Sequence, residues 1–209
     1  MLSKTSKLGC LSWSLQAFET CPGSVSDGEV VDACKFCYAR TGLYNMPDVK
    51  SLRARNKEDW QEEDWVSRMV DRLSKQTHFR WFDSGDMYSL SLAEKILDVM
   101  RQTPHVKHWL PTRMYKFEKF KPVLFDMMNL KNVCVRFSSD SVSGETITAP
   151  NSSTITPRAG MGIGYECPAY KQGGKCLSCR ACWDKAVPVV SYPYHGRSLA
   201  KVIKIASSR

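Results

Sequence analysis

Between residues 58 and 140 the sequence alternates helix and strand patterns three times, and this restricts the chain to α/β architectures. Residues 58–75 start acidic and carry Trp65, Val66, Met69, Val70 and Leu73 at helical spacing. Residues 78–82, His-Phe-Arg-Trp-Phe, read as a short strand. A second helix is predicted over 89–101, with Leu92, Ile96, Leu97 and Met100 on one face and Pro104 as its stop. Residues 106–111 read as the second strand, 116–129 as a third helix burying Phe117, Phe120, Leu124 and Met128, and 132–137 as the third strand. Strands joined through helices pair in parallel by right-handed crossovers, and their carboxyl ends carry the functional loops. Those ends are polar here: Asp83-Ser84-Gly85-Asp86, Thr112-Arg113 and Ser138-Ser139-Asp140. All three are expected on one rim.

The remainder is less periodic. After Asp140 the chain is rich in Ser, Thr, Pro and Gly, which predicts irregular structure or short hairpins around Thr146 and Ile155, and a last strand over 187–192 runs into Pro193-Tyr194-His195-Gly196. The expectation is a single domain of 209 residues: a cysteine-containing segment (1–57), a βα core (58–140) and a cysteine-rich extension (141–209). No run approaches 18 apolar residues and Lys4 and Lys7 precede no signal-peptide stretch, so no membrane partner is expected. Nine cysteines, an odd number, fit poorly with complete disulfide pairing and point to a reducing cytoplasm.

Seven of those cysteines form two groups. Cys167, Cys176, Cys179 and Cys182 lie within sixteen residues, and the overlapping CxxCxxC steps suit a cubane iron–sulfur cluster. A structural zinc, which commonly uses two separated CxxC pairs, is the alternative. Cys21, Cys34 and Cys37 make a three-thiolate set that would leave one iron of a cubane open to a small molecule. The two groups could hold two clusters or meet at one. Cys134, in the apolar stretch Val133-Cys134-Val135, reads as a buried thiol, and Cys10 as a non-ligand.

Charge is unevenly placed. The net charge is +9, and residues 1–77 balance 11 basic against 11 acidic groups, so the excess lies wholly after residue 77. Residues 101–136 hold Arg101, Lys107, Arg113, Lys116, Lys119, Lys121, Lys131 and Arg136 against Glu118 and Asp126, mixed with aromatic residues. Such a mixture suits DNA or RNA, and equally suits a solvated face over core aromatics. Arg113 and Arg136 read by default as exposed ion-pair partners. Asp83 and Asp86 are either ligand-binding carboxylates or caps of the next helix. His195 is a candidate neighbour of a metal site or an ordinary hydrogen-bonded histidine; His78, His105 and His108 read as structural.

Taken together, Cys21-Pro22, Cys34 with Cys37-Tyr38-Ala39, Ser84-Gly85-Asp86, Cys167-Pro168, Cys182-Trp183 and His195-Gly196 closely resemble the bacteriophage gene product 88 family over most of the chain. A more distant resemblance is to radical S-adenosylmethionine (SAM) enzymes: Cys34-Lys35-Phe36-Cys37 matches the second half of their cluster motif, although twelve residues separate Cys21 from Cys34 where that class has three. The resemblance implies a partial parallel βα barrel with a cysteine-rich irregular C-terminal extension. It also implies that Ser84, Gly85 and Asp86 contact SAM, with the acid facing the methionine ammonium. The combined expectation is a phage-encoded [4Fe–4S] protein of radical-SAM-like architecture with a basic, nucleic-acid-binding face. A radical-SAM enzyme and a zinc-stabilised nucleic-acid-binding protein are the alternatives.

Overall fold

The computed structural model describes residues 1–35 and 37–194. Phe36, His195 and Gly196, each singled out above, lie outside the described residues. In chain order the strands are β1 (Ser3–Lys4), β2 (Leu11–Trp13), β3 (Val25–Ser26), β4 (Glu29–Val30), β5 (His78–Trp81), β6 (Lys107–Thr112), β7 (Val133–Ser138), β8 (Ser152–Thr156), β9 (Tyr165–Glu166) and β10 (Val189–Pro193). The α-helices are α1 (Asp32–Lys35), α2 (Pro47–Asp59), α3 (Trp65–Leu73), α4 (Leu90–Gln102) and α5 (Lys121–Asn129). Eight strands form one sheet in the order β1-β2-β5-β6-β7-β8-β10-β9, and β3 pairs with β4 in a separate hairpin. Every pairing in the large sheet is parallel except β1 with β2. The sheet is open, with β1 and β9 as its edges.

The alternation predicted from 78 to 138 holds, with corrections at its margins. The helix expected over 58–75 begins only at Trp65, because residues 60–64 turn between α2 and α3. The helix expected from 116 begins at Lys121, with Pro122 in its first turn, after two short 3-10 turns. The segment around Ile155 is no hairpin: β8 lies parallel between β7 and β10. β2 and α2 were not anticipated. β2 brings the first cysteine-containing segment into the sheet beside β5, Trp13 pairing with Trp81.

Alternate side chains define two layers. Phe79, Trp81, Leu110, Val133 and Val135 point to the face that packs α3, α4 and α5, where Met69, Leu73, Ile96, Met100, Leu124 and Met127 join Trp13 and Trp65 in the main core. Trp13 sits edge-on to Trp65 (5.4 Å between ring centroids) and to Trp81 (6.2 Å). The other face of the sheet carries Trp109 and packs the cysteine-rich extension: Cys167, Cys176, Cys182, Trp183 and Val190 form a second cluster with it.

His108 shows how tightly the first layer is closed. Its Nδ1 accepts from Trp81 Nε1 (3.2 Å), while its other nitrogen meets Thr103 Oγ1 (2.9 Å), whose own proton goes to the Val99 carbonyl (2.6 Å). This arrangement fixes the neutral imidazole, and burial pushes its pKa down to about 3. The unfolded imidazole titrates near 6.5, so the His108 contribution to stability is complete above that pH and declines as pH falls toward 3. Relative to a His108→Gln variant, the wild-type protein should lose about 1.4 kcal/mol of unfolding free energy per pH unit below 6.5. Denaturant titrations of both proteins at pH 7.5 and 5.5 measure this; a pH-independent difference would contradict a neutral buried His108.

Candidate iron–sulfur sites on one sheet

The three polar strand ends do meet. Asp86 Oδ1 accepts from Thr112 Oγ1 (2.8 Å) and from the Met87 amide (2.8 Å), and Oδ2 accepts from the Arg113 amide (2.9 Å). Arg113 in turn donates from Nε to Asp140 Oδ1 (3.0 Å) and from Nη2 to the Ser139 carbonyl (2.7 Å). One hydrogen-bonded chain therefore links the ends of β5, β6 and β7. Neither Asp83 nor Asp86 caps α4, whose N-cap is Ser89, with no side-chain cap bond. Burial raises the Asp86 pKa to about 6 against the opposing pull of these donors.

The first cysteine group folds onto this rim. The Cys21-Pro22-Gly23-Ser24 turn rests directly on Arg113: a Cβ at Gly23 would stand 2.5 Å from Arg113 Cβ. Lys116 donates to the Gly23 carbonyl (3.1 Å) and pairs with Asp140, while the Ala33 amide donates to the Asp140 carbonyl (2.9 Å). Cys34 is the last residue but one of the short α1, and Cys37 follows two residues after that helix. Cys34, Cys37 and the Asp86 carboxylate all lie close enough to act electrostatically on Cys21, whose pKa burial, aided by Asp86, pushes up to about 12. On Cys34 the opposing influences are Arg113 and Lys116, which favour its thiolate.

The loop from Asp83 to Asp86 is held from the other side as well. Asp83 accepts from Ser14 Oγ and from Tyr44 (3.3 Å), and its carbonyl accepts from Tyr38 (2.7 Å). Ser84 Oγ donates to the Leu15 carbonyl (2.7 Å) and accepts from Arg53 Nε (2.5 Å). Gly85 has φ +77°, and a Cβ there would lie 2.7 Å from both Leu15 Cβ and Thr20 Oγ1. Sequence reading selected Ser84, Gly85 and Asp86 but missed Arg53, Tyr38 and Tyr44.

The second group lies on the cysteine face of the sheet. Cys167, Cys176, Cys179 and Cys182 line one small apolar cavity together with Tyr165, Pro168, Ala169, Ala181, Trp183 and Val190. Tyr165 and Tyr192 hydroxyls stand 3.4 and 3.3 Å from Cys179 and Cys182 Sγ. Burial pushes the Cys182 thiol up to about 12. Arg136, expected at the surface, is fully buried here: it donates to the carbonyls of Ala181 (2.7 Å), Cys182 (3.0 Å), Asp184 (2.7 Å) and Ser152 (3.4 Å) and pairs with no carboxylate among the described residues. Cys134 is buried as expected, while Cys10 packs against this second group.

Arg80 is half-buried on the same face. Its guanidinium lies 4.5 Å from the Trp109 ring centroid, and Nη2 approaches the Tyr38 hydroxyl (3.5 Å), but among the described residues no carboxylate stands within ion-pair distance and Nε has no hydrogen-bond partner. Trp109 Nε1 is buried without an acceptor among the described residues. Arg80 acts electrostatically on Cys10, Cys176 and Cys182, and the Asp83 carboxylate acts on Arg80 in turn. Among the described residues, no three His, Cys, Asp or Glu side chains are arranged to hold a metal ion as they stand.

The family profile for gene product 88 matches residues 2–185. The chain belongs to the gene product 88 family. That match spans both cysteine groups and the rim between them, and a bacteriophage origin fits it. No curated protein and no solved structure matched the chain. Among the described residues, no helix is long and apolar enough to cross a membrane.

Basic residues of the 101–136 segment are largely engaged within the fold. Arg101 pairs with Asp98 and Asp126, Lys121 with Glu118, and Lys116 and Arg113 with Asp140. Phe120 and Trp109 are buried, as the core alternative expected, whereas Phe125 is exposed.

The close approaches at the rim make a direct prediction. Gly85→Ala should lower stability by at least about 1–2 kcal/mol from the left-handed backbone alone, with the clash against Leu15 and Thr20 added. Gly28→Ala, also at positive φ (+80°) but with open space around it, should show the backbone part only. Thermal and denaturant unfolding of the two variants separate these contributions.

Proposed function

We propose that this family member binds iron–sulfur clusters at its two cysteine groups. The observation that carries the reading is the second group: four thiols line one small apolar cavity, with the fully buried Arg136 and the half-buried Arg80 beside it. Cys167, Cys176, Cys179 and Cys182 would hold a [4Fe–4S] cluster there, with the unpartnered Arg80 Nε and Trp109 Nε1 as hydrogen-bond donors toward its sulfur. A cluster in such a site supplies one-electron redox chemistry or a structural cross-link. The CxxCxxC spacing favours iron–sulfur over zinc.

Cys21, Cys34 and Cys37 would hold a second cluster at the rim, with a coordination position left for a small molecule. What supports a radical-SAM-like reading of this group is that the parallel strands β2, β5, β6, β7 and β8 lie side by side in chain order, as a partial βα barrel would require, and that Asp86 lies electrostatically close to Cys21. Asp86 Oδ2, which accepts one internal bond, keeps acceptor capacity for the SAM ammonium. A nucleic-acid face is no part of the reading, because Arg101, Arg113, Lys116, Lys121 and Arg136 are already engaged by carboxylates or carbonyls.

Anaerobic purification followed by iron, sulfide and zinc determination tests the proposal. The expected result is brown protein with about eight iron atoms per chain, reduced to about half in Cys179→Ala and in Cys21→Ala. Colourless protein with stoichiometric zinc would reject it. A SAM-dependent change in the electron paramagnetic resonance of the reduced Cys179→Ala protein would establish the open iron at the first group; an unchanged spectrum would limit that cluster to redox or structural work.

A further inference from the structure

α2 is polar on every side, yet it buries Arg53 and Asn56, which are 6% and 2% exposed. A helix that turns such groups inward is held by specific polar contacts rather than by an apolar stripe. Some of these contacts are visible. Arg53 donates to Ser84 and reaches Asp83 (3.6 Å), and Asn56 Nδ2 donates to the Ser14 (2.9 Å) and Met1 (3.0 Å) carbonyls. The Arg53 guanidinium also lies over the Tyr44 ring (4.8 Å), but Arg53 Nη1 and Asn56 Oδ1 have no hydrogen-bond partner among the described residues. The two residues are one helical turn apart and line the same cleft, which has a volume of about 960 Å³ and runs between α2 and α3.

Buried polar atoms left open in this way lose roughly 1–3 kcal/mol each unless something occupies them. The cleft defines what that would be. Six of its lining residues are Lys or Arg and four are Asp or Glu. Two acids and two cations of the lining engage each other, Glu19 with Lys57 and Asp59 with Arg68, which leaves Glu58 and Glu62 as the remaining acids. Lys50, Arg55 and Arg72 remain on the cleft wall, with no carboxylate among the described residues at ion-pair distance. The cleft lining sets the Arg53 donor beside the Asn56 amide acceptor, and cations outnumber acids on it by two. The volume is that of a small-molecule site.

We propose that this cleft binds a phosphorylated small molecule of nucleotide size, its phosphate toward Arg53 and the wall cations and a hydroxyl or amino donor toward Asn56 Oδ1. The proposal stands apart from the cluster reading, since none of these residues is a thiolate. Occupation of Arg53 Nη1 would fix the same guanidinium that holds Ser84 and Asp83, and would so stiffen the rim loop from α2.

Isothermal titration of the full chain with ADP, pyrophosphate and adenosine tests it. ADP should bind saturably, pyrophosphate more weakly, and adenosine at least about tenfold more weakly than ADP, a difference of about 1.4 kcal/mol. Lys50→Glu and Arg72→Glu, both on the cleft wall, should each weaken ADP binding severalfold, and Asn56→Asp should weaken it further if it folds. Absence of saturable ADP binding, equal binding of adenosine, or wild-type affinity in both wall variants would overturn the proposal. Iron and sulfide are determined on the same samples, so lost ADP binding with normal iron overturns the cleft alone, and normal ADP binding without iron overturns only the cluster reading.

Discussion

Arg136 is removed completely from water, and four backbone carbonyls replace the solvent it has lost. Each charge-assisted bond of this kind contributes about 1.5–3 kcal/mol, enough together to offset a desolvation penalty of several kcal/mol for one ion. Three of the four carbonyls, Ala181, Cys182 and Asp184, belong to the last turn of the cysteine-rich extension, so a residue on the central strand β7 holds that extension against the sheet. Trp183 adds a second anchor by donating to the Phe79 carbonyl (2.8 Å) and packing on Trp109 (5.1 Å). Without these two attachments the CxxCxxC segment has little regular structure of its own to fix its position, since it contains only short 3-10 turns.

The same sheet presents the other cysteine group by a different device. Where Arg136 works through side-chain donors on a sheet face, the rim works through strand ends: Asp86 bonds to the end of β6 and Arg113 to the end of β7, and the Cys21 turn rests on Arg113. A parallel sheet makes this possible because all its carboxyl ends open on one side. Tyr38, one residue beyond Cys37, touches both the Asp83 carbonyl and Arg80, and Arg80 reaches electrostatically to Cys176 and Cys182. The two thiol groups are thus connected through a short polar and aromatic route rather than isolated at opposite ends of the fold.

How much of this could be read from residues alone depended on periodicity. β5, β6, β7 and α4 carry clean apolar spacing, and they emerged within a residue or two of where they stand. α2 carries none, because the residues it buries are Arg53 and Asn56, and a polar helix of that sort is invisible to a hydrophobic pattern. β8 escaped for a related reason: Ser-Ser-Thr-Ile-Thr looks like loop composition, yet Ser152, Thr154 and Thr156 are buried against neighbouring strands. The rim was legible because its acids and hydroxyls follow strands directly. Arg80 left one signal, a lone cation alternating with Phe79 and Trp81 in a strand that is otherwise apolar, and Arg136 left the same signal between Val135 and Phe137.

These two arginines also indicate why the cysteine face differs so much from the helical face. A sheet that only needed a second core layer would place apolar residues at positions 80 and 136, as it does on the opposite side at 79, 81, 133 and 135. Arg136 is explained in full by carbonyl acceptors, but Arg80 is not: among the described residues its Nε has no acceptor, and the groups it touches are a phenol and a tryptophan ring. Arg80 is half-buried, and the Asp83 carboxylate at the rim acts on it electrostatically. Arg80 acts in turn on the Cys176 and Cys182 thiols and favours their thiolate forms. It therefore stands between the rim carboxylate and the second thiol group and links the electrostatics of the two.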